Sequence, residues 1–201
     1  MKKVLVITLS VLLLLGALVA PIVAIITGSA SDADQSQPYT PPVYYDSVAE
    51  FEAAERSSKN GSAHYYIPTV LPENSTFKRI SKRDNEYIAV TYSVDTSGID
   101  TTGFSSYEME RISSLICELK LYEDGTVPLI SFKGNGFKPI DYQGRTIYYF
   151  EDYDPLNPDK RLIGYSIAFL QDGYCIYMHL PAIDTFENMM QYANVTRVTI
   201  E

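Results

Sequence analysis

Chemistry in this chain would have to come from one acidic run, two histidines, two cysteines and a set of paired tyrosines. The run Glu151-Asp152-Tyr153-Asp154-Pro155-Leu156-Asn157-Pro158-Asp159 spaces its carboxylates so that Asp152, Asp154 and Asp159 could converge on a hard cation such as Ca²⁺. The calcium-loop pattern also asks for a ligand where Leu156 stands and a glycine where Asn157 stands. Two prolines stiffen the stretch, which otherwise reads as a solvated turn joining two strands. His64 follows Gly61-Ser62-Ala63 in a loop-like context, and His179 alternates with Cys175 and Tyr177 as on a strand face. Histidine with serine and aspartate can run nucleophilic catalysis, but no Gly-x-Ser-x-Gly elbow is present. Two histidines without neighbouring ligands also fail as a zinc site. The sequence therefore assigns no catalytic residue, no metal site and no cofactor.

Cys117 and Cys175 lack Cys-x-x-Cys spacing. Each falls mid-strand. In an oxidising compartment they could be joined, removing about 4 kcal/mol of unfolded-chain entropy, or they stand as two buried apolar thiols. Tyr148, Tyr149 and Tyr153 flank the acidic run, and Tyr65-Tyr66 lies near the first helix. Exposed tyrosine gives a rigid contact surface suited to a glycan or a peptide; buried tyrosine fills strand faces.

The elements that must position these residues are mostly strands. Ser47-x-x-Glu50 has capping-box spacing and predicts a helix over 47–58, closed by Asn60-Gly61. The prolines of Tyr66-Ile67-Pro68 and Leu71-Pro72-Glu73 suggest an edge or a turn. From there the apolar period is two. Strands are expected over 76–82 and 86–94, joined at Arg83-Asp84-Asn85. A strand at 115–122 should form a hairpin with 126–132 through Glu123-Asp124-Gly125. Residues 145–151 follow the turn at Asp141-Tyr142-Gln143-Gly144. Ile163, Tyr165, Ile167 and Phe169 share one face, and Tyr174, Ile176, Met178 and Leu180 return on one face after Gln171-Asp172-Gly173. A short helix over 184–193, capped by Asp184, and a last strand over 195–200 end the chain. The polar stretch 95–110 reads as a loop or a short helix without a fixed place in the fold. The expected class is α+β: an antiparallel sheet built of hairpins, with two short helices packed on it.

The N-terminus is of another kind. Lys2 and Lys3 precede an apolar run from Val4 to Ile26, interrupted only by Thr8, Ser10, Gly16 and Pro21. As a helix it would span roughly 35 Å, against about 30 Å for a hydrocarbon core. The expectation is a signal-anchor helix over 1–30 that keeps its positive end in the cytoplasm and sends the rest outside. A signal peptide cleaved after Ala30, beyond the small residues Gly28-Ser29-Ala30, is the alternative. Residues 31–45 read as a polar, proline-stiffened linker, and 46–201 as the extracytoplasmic domain. All 25 acidic residues lie beyond residue 30. Such a surface repels phosphate backbones and argues against a nucleic-acid partner.

Tyr66-Ile67-Pro68, Leu71-Pro72-Glu73, Asp172-Gly173-Tyr174 and the run Asp184–Val195 together resemble the bacterial domain-of-unknown-function family 4367 over about residues 46–201. Asn74 stands where that family usually has glycine, and the chain has no tryptophan for the terminal hairpin. The resemblance implies the extracytoplasmic half of a membrane-anchored protein and brings no catalytic residues. The expected function is therefore a non-enzymatic binding or sensory module of the bacterial cell envelope, with a glycan, peptide or protein ligand. An envelope hydrolase using carboxylates or a metal is the first alternative, and a lipid or lipoprotein carrier the second.

Overall fold

Two-residue turns set the register of the sheet. At Gln143-Gly144 and at Asp172-Gly173 both central residues have positive φ, between 52° and 82°. That is the turn whose twist matches a right-handed strand pair, and Gly173 adopts it without a Cβ penalty. The protein is described here from a computed structural model. The described residues are 40–58, 61, 64–121, 135–154 and 161–200. Val4–Ile26, the cleavage position after Ala30, the linker up to residue 39, the expected strand 126–132 and Asp159 lie outside them. Among the described residues no helix is long and apolar enough to cross a membrane.

The chain forms β1 (Val43–Tyr45), α1 (Val48–Ser57), β2 (His64–Pro68), β3 (Thr76–Arg83), β4 (Tyr87–Ser93), α2 (Ser106–Ile112) and β5 (Ser114–Lys120). It continues with β6 (Lys138–Tyr142), β7 (Arg145–Tyr153), β8 (Leu162–Gln171), β9 (Tyr174–Pro181), α3 (Phe186–Met189) and β10 (Val195–Thr199). A 3-10 turn, Met190–Ala193, extends α3. Eight strands make one antiparallel sheet in the order β1-β3-β4-β5-β9-β8-β7-β6, and β2 pairs with β10 in a separate ribbon. The class is α+β, mostly antiparallel sheet, with three short helices among the described residues: the two expected and one that begins in the stretch read as loop or short helix.

Period two along the strands decides the core. Ile80, Ile88, Val90, Cys117, Leu119, Ile147, Ile167, Phe169, Ile176, Met178 and Leu180 share one face and are buried. Phe51 of α1, Tyr65 and Tyr66 of the ribbon, and Met189, Met190 and Ala193 after β9 cover it. The opposite, outer face carries Arg79, Tyr87, Glu118, Lys120, Tyr177, Ser166, Phe150 and Asp152, as the strand registers require. Val43–Tyr45, read from sequence as the end of the linker, forms the edge strand on β3. The helix start at Ser47 is as expected, with its hydroxyl accepting from the Glu50 amide. Glu50 reaches back to the Asp46 amide and not to Ser47, so the box closes one residue early. Thr185, not Asp184, is the N-cap of α3; Asp184 instead accepts from the Thr185 amide at 2.7 Å.

Candidate functional site

The densest polar chemistry on the outer face centres on one carboxylate oxygen. Oδ2 of Asp152, on β7, accepts from Ser166 Oγ of β8 at 2.7 Å and from the Arg111 guanidinium of α2 at 2.7 Å. Nδ1 of His179, on β9, lies 3.1 Å from the same oxygen. The other ring nitrogen, Nε2, is 2.9 Å from the Arg111 carbonyl. Tyr177 OH is 2.8 Å from Ser166 Oγ. Because the Ser166 proton goes to a carboxylate that only accepts, the Tyr177 hydroxyl donates to Ser166. Arg111 hydrogen-bonds the Tyr177 hydroxyl in turn. The chain Arg111, Tyr177, Ser166, Asp152 is closed within the protein.

Strand register brings these groups together. Ser166 faces His179 across β8 and β9, Phe150 faces Ser166, and Asp152 faces Gly164 across β7 and β8. Gly164 makes room for the imidazole: a Cβ there would lie 2.1 Å from His179 Cε1. The helix that supplies Arg111 is fixed by a full capping box, in which Ser105 Oγ accepts from the Glu108 amide and Glu108 accepts from the Ser105 amide. Ser105 Oγ also donates to Asp154 at 3.3 Å, and Arg161 lies 4.0 Å from buried Glu108. The α2 helix is thus held on the sheet by Arg111, Glu108 and its Ser105 cap, beside the buried Ile112.

Electrostatics follow from this burial. Burial alone would raise the Asp152 carboxyl; the hydrogen bonds from His179 and Ser166 and the Arg111 charge outweigh it and hold it below the ordinary carboxylate range. Burial and the Arg111 charge keep the fully buried His179 ring below the usual histidine range, although Asp152 pulls the other way. Burial pushes the Tyr177 hydroxyl up, which keeps it a donor.

Beside this network lies an open groove of about 410 Å³ on the outer face. Asp152, Ser166 and Tyr177 form its floor, Glu118 and Lys120 one side, and Asn135, Phe137 and Phe150 the other. Lys120 pairs with Glu118 and its ammonium lies 5.7 Å and 5.8 Å from the ring centres of Tyr87 and Tyr177. Phe137 and Phe150 stack with centroids 5.6 Å apart, and Phe150 is 42% exposed.

The candidates read from sequence are dispersed by the fold. Asp152 belongs to the network above, whereas buried Asp154 binds the N-cap of α2 and Asp159 lies outside the described residues. Asp152 Oδ2 is taken by one guanidinium, one hydroxyl and one imidazole, and Asp154 by Ser105, so the metal reading is corrected for Asp152 and Asp154. Among the described residues no three His, Cys, Asp or Glu side chains come together as a metal site. Glu151 points to the core side of β7, where Tyr153 donates to it at 2.7 Å. Tyr148 and Tyr149 are adjacent on β7 and so point to opposite faces. Tyr149 lies 4.8 Å from Phe186 against the core, while Tyr153 is exposed, so the three tyrosines form no common platform.

The cysteines are both free and buried. Their strands are neighbours, but Cys117 faces Met178, three residues from Cys175, which puts the two thiols on opposite faces of the sheet. The disulfide reading is corrected accordingly. Burial pushes both thiols up, Cys175 to about 12. His64 is buried between Tyr66 and Tyr174 and has no role in the network.

Two members of the hydrogen-bonded network were missed, and none of the groove residues Glu118, Lys120, Asn135, Phe137 and Phe150 was singled out. Arg111 lies in a helix whose start was read only as loop or short helix, although Ser105-Ser106-Tyr107-Glu108 carries the same capping spacing as Ser47 to Glu50. Ser166 sits in Gly164-Tyr165-Ser166-Ile167-Ala168, one residue short of the nucleophile-elbow pattern. All five residues are mid-strand in β8, so no sharp turn presents the hydroxyl. Compared with protein-family models, curated proteins and solved structures, the chain matches none.

Proposed function

We propose that residues 41–200 form a non-enzymatic binding or sensory module, carried on the outer side of a bacterial membrane by Val4–Ile26. One observation carries the reading: an open groove with an exposed aromatic wall lies on a rigid sheet whose nearby serine, histidine and aspartate are already committed to one another. A hydrolase of the Ser-His-Asp type needs the histidine on the serine and the aspartate behind the histidine. Here Ser166 donates straight to Asp152, and His179 is fully buried with one nitrogen on the Arg111 carbonyl. A carboxylate or metal hydrolase needs uncommitted acids facing one cleft, and of the two acids lining this groove Asp152 is bonded to Ser166, Arg111 and His179 and Glu118 is paired with Lys120. A lipid carrier needs an apolar void between sheet and helices, a space filled here by Phe51, Tyr66, Phe169 and Met189. The turn and packing motifs that resemble family 4367 agree with that compartment, although no family model matches the chain.

The test is co-sedimentation of the full chain with isolated cell-wall material, run beside an assay for newly released sugar and peptide ends. Retention without release supports a binding module. Release of ends that Asp152→Asn abolishes supports the hydrolase instead. Digestion of the domain by protease added outside intact spheroplasts checks the topology, and full protection overturns it.

A further inference from the structure

We propose that the groove across β5, β9, β8 and β7 takes a neutral saccharide, laid against Phe150 and hydrogen-bonded by the Lys120–Glu118 pair. The inference rests on the binding reading of that groove and names its ligand class.

The lining selects by elimination. All four strands beneath the groove are paired on both sides, so no free backbone edge is offered for a peptide to extend the sheet. A purely apolar ligand would strip water from the Glu118–Lys120 pair and from Asn135 and return no hydrogen bond to them. An anion meets Lys120 already matched by Glu118, and a cation meets Glu118 and Asp152 already matched by Lys120 and Arg111. What remains is a ligand that is uncharged, rich in hydroxyls and apolar on one face.

A pyranose has that shape. Its axial hydrogens give a flat apolar face that covers an exposed ring such as Phe150, which Phe137 holds in place by stacking. Its equatorial hydroxyls both donate and accept, so one ring can satisfy an ammonium, a carboxylate and an amide together. Lys120 is steadied by Glu118 and by the Tyr87 and Tyr177 rings. The polar arm of the site is therefore pre-organised, which lowers the ordering cost of binding. At about 410 Å³ the groove falls within the size of ordinary small-molecule sites, about 300–1,000 Å³.

The experiment uses the full chain in lipid nanodiscs free of glycoside detergent. Calorimetric titration compares chitotetraose, cellotetraose and an uncharged stem-type pentapeptide. At least one tetrasaccharide should bind saturably, with affinity weakened about tenfold or more by Phe150→Ala and by Lys120→Met. Tyr44→Ala, on the far edge strand, should leave it unchanged. Circular dichroism of each variant separates lost binding from lost folding, and Phe150 is exposed enough for its truncation to be tolerated. Saccharide binding indifferent to Phe150→Ala overturns the assignment to this groove. Peptide binding that Phe150→Ala abolishes, without saccharide binding, overturns the ligand class and leaves the binding-module reading standing. Binding of neither probe overturns the saccharide proposal, while retention on cell-wall material independently decides the broader reading.

Discussion

Asp152 Oδ2 and His179 Nδ1 lie 3.1 Å apart, while His179 Nε2 lies 2.9 Å from the carbonyl of Arg111, the residue whose guanidinium meets the same Asp152 oxygen. Three strands and one helix are thereby tied at a single atom. Asp152→Asn keeps the size and removes the charge that offsets Arg111. Unfolding free energy should fall by about 2–4 kcal/mol, since a partly buried cation loses its partner. Ser166→Ala should cost about 1.5–3 kcal/mol, since the bond to the charged carboxylate goes and the Tyr177 hydroxyl loses its acceptor. Urea titration gives both numbers. Hydrogen exchange should show the amides of α2 opening first in Asp152→Asn, and unchanged α2 protection would show that the helix is held by something else.

The same cluster sets a pH dependence. Asp152 has a folded pKa below its ordinary 3.8, and His179 one below its ordinary 6.5. A group whose pKa is depressed by folding stabilises the fold above its unfolded value and loses that stabilisation as pH falls. The His179 contribution should therefore begin to disappear below about pH 6.5, and that of Asp152 below about pH 3.8. Arg111 from α2, Asp152 from β7, and Ser166 and Tyr177 on β8 and β9 are the polar groups around the ring. Denaturation midpoints from pH 8 to pH 3 should fall in two steps, and His179→Gln should lack the upper one. A midpoint that rises between pH 7 and pH 5 would reverse the assigned direction.

Much of this architecture was legible because strand burial leaves a mark of period two. The turns at Asn85, Gln143-Gly144 and Asp172-Gly173 and the apolar faces of β8 and β9 follow from local residue types alone. The site was legible only in pieces. Asp152 and His179 were singled out, but for unrelated roles, because nothing local to either reveals that β7, β8 and β9 are neighbours. Arg111 was hidden by the polar look of 95–110, where a helix lies on the sheet through ion pairs and so shows no broad apolar stripe. The cysteine pairing failed on parity: a strand neighbourhood permits it, and a three-residue offset forbids it.

Gly164 tests the register directly. Alanine there would meet His179 Cε1 at 2.1 Å and the Leu180 carbonyl oxygen at 2.9 Å, so the ring must leave the Asp152 contact or the strands must part. Gly164→Ala should destabilise by about 2–4 kcal/mol. Removing the ring should recover part of that loss, so Gly164→Ala with His179→Ala should be less damaging than the sum of the two. A double-mutant cycle in urea measures the coupling. Simple additivity would mean that the imidazole does not lie over Gly164.

Lys82 and Glu55 make the other decisive contact, 2.6 Å apart with side chains 8% and 3% exposed, between β3 and α1. Burial works against the ammonium, but the hydrogen bonds it donates to Glu55 and to Asp84 outweigh it and hold its pKa above the ordinary value. The pair therefore stabilises the fold up to the ordinary lysine range and loses that effect only as pH rises beyond it. Breaking it is costly because one charge stays behind: Glu55→Gln should lose about 3–5 kcal/mol. Replacing both together, Glu55→Leu with Lys82→Met, should be near neutral or stabilising, since two desolvated charges give way to apolar contact with the Phe51 side of the core. Thermal denaturation of the three proteins decides between these outcomes. A double substitution as damaging as Glu55→Gln alone would mean that the pair contributes net stability.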